Sequence, residues 1–110
     1  MKTAALTKYR QRLADGKIAA FPDWDVTAQQ RAAVRRALLG ALDKLIALGR
    51  YGTVEAATEI LRKCVERLNA LDEGFICTIE REELCDVLYD IGDFCGLDAD
   101  EEWVDEWRDW

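Results

Sequence analysis

The sequence predicts an all-α fold: a single-domain bundle of four to five helices joined by short loops. Three observations lead there. Apolar residues recur at helical spacing along most of the chain. Capping residues and glycines fall where those stretches begin and end. The one short β-branched run, "FICTI" at 75 to 79, has no second run to pair with. At 110 residues, half of them apolar, the chain can bury a core in one domain.

Taken in order, α1 is expected over Thr3 to Ala14. Leu6, Tyr9 and Leu13 lie on one side, and Gly16 sits just past the end. The opening stretch is basic, but it contains no serine and reads as an ordinary first helix rather than a targeting segment. "KIAAFPDWD" (17 to 25) is a connector around Pro22, with Phe21 and Trp24 tucking it onto the bundle. Thr27 and Gln30 form a capping-box pair that opens α2. Val34, Leu38, Ala41, Leu42, Leu45 and Leu48 then share a stripe. Gly49 and Gly52 bracket a turn, and Thr53 caps α3. In α3, Val54, Ala57, Leu61, Cys64, Val65, Leu68 and Leu71 fall within an arc of about 120°. The "FICTI" run is read as a buried loop that delivers Thr78 as the N-cap of α4. Leu84, Val87, Leu88, Ile91 and Cys95 form the inner face of α4, and Gly96 ends it. Asp98 and Glu101 are expected to open α5 as an Asp-capped box.

The last helix carries Trp103, Trp107 and Trp110 at i, i+4 and i+7, within about 60° of one another. Trp103 and Trp107 are expected to dock inward. Trp110 is expected to be the least buried, since chain ends fray. The same stripe could alternatively serve as a homodimer seam.

Charge is polarised along the chain. Formal net charge is -7. Residues 1–54 hold ten Lys/Arg against four Asp/Glu, and residues 55–110 hold five against eighteen. The arginines of α1 and α2 (Arg31, Arg35 and Arg36 among them) are expected to pair with acids of α4 and α5. The acidic excess repels nucleic acid and anionic membrane and favours basic partners. Direct nucleic-acid binding and membrane association are therefore not expected. No apolar run approaches ~18 residues, so no membrane span is expected. Cytoplasmic residence follows from these features and from the cysteines. Cys64, Cys77, Cys85 and Cys95 contain no C-x-x-C pair, there is no histidine to complete a zinc set, and they read as free thiols.

The chain has neither histidine nor serine, so Ser-His-Asp and Cys-His catalysis are both excluded. No Gly-rich phosphate loop, H-E-x-x-H or calcium loop is present. Neither a cofactor nor a metal site is expected. Glu82, Asp86, Asp90 and Asp93 form a carboxylate row along α4, opposite its apolar face. Carboxylates one turn apart can share magnesium. Glu83 and Asp86 make an E-x-x-D pair that is similar to the second metal motif of the all-α nucleoside triphosphate pyrophosphohydrolases of the MazG type. That resemblance implies magnesium-dependent nucleotide hydrolysis, with Glu83 and Asp86 holding the ion. The family's companion E-E-x-x-E motif has no counterpart here: α3 offers Glu55, Glu59 and Glu66 without an acidic doublet at that spacing.

The leading expectation is a non-enzymatic binding protein that inhibits or neutralises a basic protein partner, such as a toxin or nuclease. Its surface is formed by Glu82, Asp86, Asp90 and Asp93 of α4 with Glu101, Asp105, Glu106, Asp109 and Trp110 of α5. Small acidic bacterial proteins of this type include immunity proteins. Phage inhibitors that imitate the charge of nucleic acid, anti-CRISPR proteins among them, are the second type that fits.

Overall fold

Helix ends fall where the caps are. In the computed structural model, which describes residues 1–110, α1 spans Thr3–Ala14, α2 Ala28–Leu48, α3 Val54–Leu71 and α4 Thr78–Cys95. Thr27 Oγ1 accepts the Gln30 N–H at 3.0 Å, and Gln30 Oε1 accepts the Thr27 N–H at 3.0 Å. Thr53 Oγ1 accepts the Ala56 N–H at 3.1 Å. The left-handed turns at Gly16 (φ 73°) and Gly96 (φ 89°) let Lys17 and Leu97 return their N–H groups to the carbonyls of Arg12 and Gly92. The expected start of α4 needs correcting. Its N-cap is Cys77, and Thr78 is the first helical residue. The Cys77 N–H donates to Glu80 Oε1 at 3.0 Å, so the glutamate three residues on selects the start.

Each long helix packs on its predecessor, and α4 returns to α1, closing a four-membered ring. Twenty-four buried apolar residues form one core inside it. Val34, Leu38, Leu42 and Leu45 of α2 face Leu61, Val65 and Leu68 of α3 and Leu84, Leu88 and Ile91 of α4 within that core. Each fully buried side chain of this kind contributes about 1.5–3 kcal/mol. The "FICTI" run is loop over Phe75, Ile76 and Cys77, and its last two residues open α4: Asp72 Oδ1 accepts the N–H groups of Gly74 and Ile76, and Ile76 alone of the run is buried. No helix is long and apolar enough to cross a membrane.

The connector between α1 and α2 is packed, as Phe21 and Trp24 suggest. Their rings stack 3.8 Å apart at 17°, and both are buried. The Trp24 indole N–H donates to Glu83 Oε2 on α4 at 2.6 Å. Arg31 donates to the Trp24 carbonyl, and Arg35 donates to the carbonyls of Leu13 and Ala19. Ala19 and Phe21 hold positive φ of 53° and 52°. Non-glycine residues persist there only when their surroundings fix them, and here the arginines and the ring stack do so.

This overturns the expected charge pairing. Arg31 and Arg35 bind backbone carbonyls, Arg36 is exposed, and Arg10 pairs with Asp43 of α2 at 3.0 Å. No ion pair joins α1 or α2 to the C-terminal acids.

The final helix also differs from expectation. Asp98 does cap, but what it caps is a 3-10 turn, Ala99–Glu101. Glu102 then breaks the run at φ 51°, and α5 is the five-residue Trp103–Trp107. Arg108 is extended. Trp103 is buried and Trp107 half-buried, while Trp110, expected to be the least buried, is only 7% exposed. Trp103 lies so close to α4 that a Cβ at Gly92 would stand 2.5 Å from its Cζ2. Asn69 of α3 clamps the tail: its Nδ2 donates to the Trp107 carbonyl and its Oδ1 accepts the Asp109 N–H, each at 3.0 Å.

Candidate functional site: an acidic face on α4

Glu82, Asp86, Asp90 and Asp93 recur at three- and four-residue intervals, so α4 carries them as one row. All four are exposed. Their inward-facing neighbours Leu84, Val87, Leu88 and Ile91 are buried, which fixes the helix's rotation and turns the row outward. None of the four has a cationic partner in the chain. The ion pairs are Arg10–Asp43, Lys63–Glu59 and Arg108–Asp105. Asp90 accepts only the Tyr9 hydroxyl, at 3.3 Å. Burial, then the nearby Asp90 carboxylate, pushes that phenol above its usual 10.

Asp105 of α5 adjoins the row. It accepts the Tyr89 hydroxyl at 3.0 Å and Arg108 Nε at 2.8 Å. The Arg108 hydrogen bond holds its carboxyl below the usual 3.8. Cys85 lies between the two helices. Its thiol is raised by burial and then by Asp105, with Asp86 adding to the effect.

The remaining predicted residues sit elsewhere. Glu101 and Glu106 line a groove of about 270 Å³ against α3, facing Thr58 and Arg62. The Arg62 guanidinium lies 4.8 Å from the centre of the half-buried Trp107 ring. Asp109 is exposed beside the Asn69 clamp. Trp110 packs into the bundle's own core. Glu80, in the first turn of α4, is not part of the exposed row: it is 6% exposed and serves the capping box.

The E-x-x-D pair does not gather further donors. Glu83 is engaged by Trp24, and nowhere do three Cys, Asp or Glu side chains converge closely enough to hold a metal ion. All four cysteines are free. Burial pushes the Cys64 thiol up to about 12 and the Cys95 thiol up to about 11.

Two features lay outside the sequence reading. Between the connector and α4 lies an open groove of about 390 Å³, lined by Lys17 to Pro22 with Glu83, Asp86 and Val87. The aromatic pair in "KIAAFPDWD" is the signal that this segment packs rather than hangs free. The second feature lies between α2 and α3, where Lys44, Lys63 and Arg67 frame a shallow cationic cleft over Gly40. The chain matches no protein-family model, no curated protein and no solved structure.

Proposed function

We propose that this is a non-enzymatic binding protein that neutralises a basic protein partner through the exposed face of α4, in the manner of an immunity protein. One observation carries the reading: four carboxylates stand in a row, exposed and without a cation, in a chain that has fifteen Lys/Arg to offer. Like charges one turn apart cost a helix about 0.2–0.5 kcal/mol per pair. A cationic surface relieves that repulsion and is captured fast through electrostatic steering. Asp105 extends the face. Glu101, Glu106 and Asp109 lie apart from it, toward α3. Four unpaired thiols suit action in a reducing compartment such as the cytoplasm. Trp103 and Trp110 are already buried in their own bundle, so the tryptophans are not the contact surface in this reading.

The test is a pull-down with the tagged full chain at low salt, with nuclease added to remove nucleic acid. The expected product is a basic toxin or nuclease that elutes with modest salt, because its attraction is screened over about 10 Å at 0.1 M. A captured protein whose nucleic-acid channel is blocked would instead place this chain among the nucleic-acid mimics. Capture of no basic protein, together with magnesium-dependent turnover of a nucleoside triphosphate that needs Glu83, would replace the binding reading with hydrolysis.

A further inference from the structure

We infer that the groove between the connector and α4 is a socket for one arginine side chain of the basic partner. The inference rests on the binding role proposed for α4 and assigns it an anchor point. Ile18, Ala19, Ala20 and Pro22 form one wall and Val87 the other, so the interior is mainly apolar. Its volume of about 390 Å³ is within the range of sites that bury a compact organic group. On the α4 side stand Asp86 and Glu83, one helical turn apart. Asp86 is exposed and belongs to the acidic row. Glu83 Oε2 accepts the Trp24 indole N–H, while its Oε1 makes no hydrogen bond within the chain. A side chain entering here lays an aliphatic stem along the apolar walls and brings its cationic head to two carboxylates.

That combination selects arginine. A guanidinium is weakly hydrated and planar, so it tolerates apolar walls and can bridge two carboxylates with fixed donors. An ammonium is compact and strongly hydrated, and loses more on leaving water. The walls are also held in advance. Arg35 holds the Ala19 carbonyl, Phe21 stacks on Trp24, and Ala19 and Phe21 sit in the left-handed region. Little ordering is then left to do on binding. Lys17, exposed on the opposite rim, is the groove's own competing cation.

The direct experiment follows the amide resonances of the ¹⁵N-labelled full chain during titration with Nα-acetyl-arginine amide. The citrulline analogue serves as an uncharged isostere and the lysine analogue as a second cation. Saturable shifts are expected at Ala19, Ala20 and Val87, with half-saturation in the millimolar range, about 1–10 mM. Citrulline should shift nothing, and lysine should bind more weakly than arginine. Asp86→Asn should weaken arginine at least about threefold and Lys17→Gln should tighten it, both following from the local charge. Citrulline binding as well as arginine would overturn the socket. So would shifts spread evenly over Glu82, Asp90 and Asp93 without Val87. A pull-down separates this inference from the reading it rests on. The Ala20→Phe variant fills the groove without changing charge, and its fold is checked by thermal melting. If that variant captures the basic partner as well as the parent does, the socket falls and the acidic face stands. If the parent captures no basic protein, the acidic-face reading falls, whatever arginine does in the groove.

Discussion

Arg35 of α2 and Asp86 of α4 are both charged residues on long amphipathic helices, and the fold uses them in opposite ways. Arg35 is turned inward, half-buried, with its guanidinium on the carbonyls of Leu13 and Ala19. Asp86 is turned outward and has no partner. The same contrast holds more widely. Arg31 also binds a connector carbonyl, whereas Glu82 and Asp93 face only solvent. Charges that could have cancelled across the bundle are kept apart. The cations of α2 hold the connector in place, and the acids of α4 are left available. The cationic cleft of Lys44, Lys63 and Arg67 lies between α2 and α3, apart from the row on α4.

The strongest way to break this comparison is Arg35→Met. It leaves the Leu13 carbonyl at the end of α1 and the Ala19 carbonyl of the connector without their donor and should cost about 2–3 kcal/mol in urea unfolding. Arg35→Lys should recover only part of that, since an ammonium lacks the planar fork. Arg36→Ala, one residue along and exposed, should stay within about 0.5 kcal/mol. Equal effects at 35 and 36 would mean that charge alone, and not the carbonyl clamp, matters on α2.

Adjacent positions on α4 sharpen the contrast between its faces. Gly92→Ala drives a Cβ into the Trp103 indole, where a gap of 2.5 Å cannot be tolerated. Overpacking of this kind costs about 1–3 kcal/mol. Asp93→Ala, on the outer face, should leave the melting temperature unchanged or slightly higher.

A smaller effect of opposite sign is expected along the row itself. Glu82→Gln and Asp86→Asn each remove a like-charge neighbour and should stabilise the protein by about 0.2–0.5 kcal/mol at low salt. The gain should fade in molar salt as screening shortens the range of repulsion to about 3 Å. Stability that is unchanged at low salt would show that the row carries no repulsion.

The smallest effect concerns pH. Arg108 and Tyr89 hold Asp105 below its usual 3.8, so the folded state favours its ionised form. That contribution is complete above the unfolded value and is lost as pH falls through the lowered folded value. Tryptophan fluorescence from the Trp103–Trp110 region should therefore stay flat from pH 7 to 5 and change only below about 3.8. A transition near neutrality would argue for another titrating group.

Four of the helices could be read in the sequence because each carries a 3.6-residue apolar repeat between recognisable caps. Thr27, Thr53, Gly16 and Gly96 act in the fold as their positions suggest. The start of α4 was legible too, but through Glu80 rather than through the threonine: a glutamate three residues on points back to Cys77. The tryptophan spacing was misleading. Trp103 and Trp107 share a short helix, but Trp110 reaches the core by an extended path that periodicity cannot encode. The carboxylate row could be read from spacing alone. The groove beside it could not, because its other wall is a connector shaped by long-range bonds from Arg35, Arg31 and Glu83.

The Asn69 amide imitates, with one side chain, a rung of a β-ladder: it gives to one backbone carbonyl and takes from a backbone N–H two residues on. The consequence is cooperative opening. The Trp107 carbonyl, the Asp109 amide and the buried Trp110 ring are tied to a single point on α3, so they should open as one cooperative unit rather than fray residue by residue. In hydrogen exchange, that unit would report its own opening free energy, distinct from that of the four-helix ring behind it.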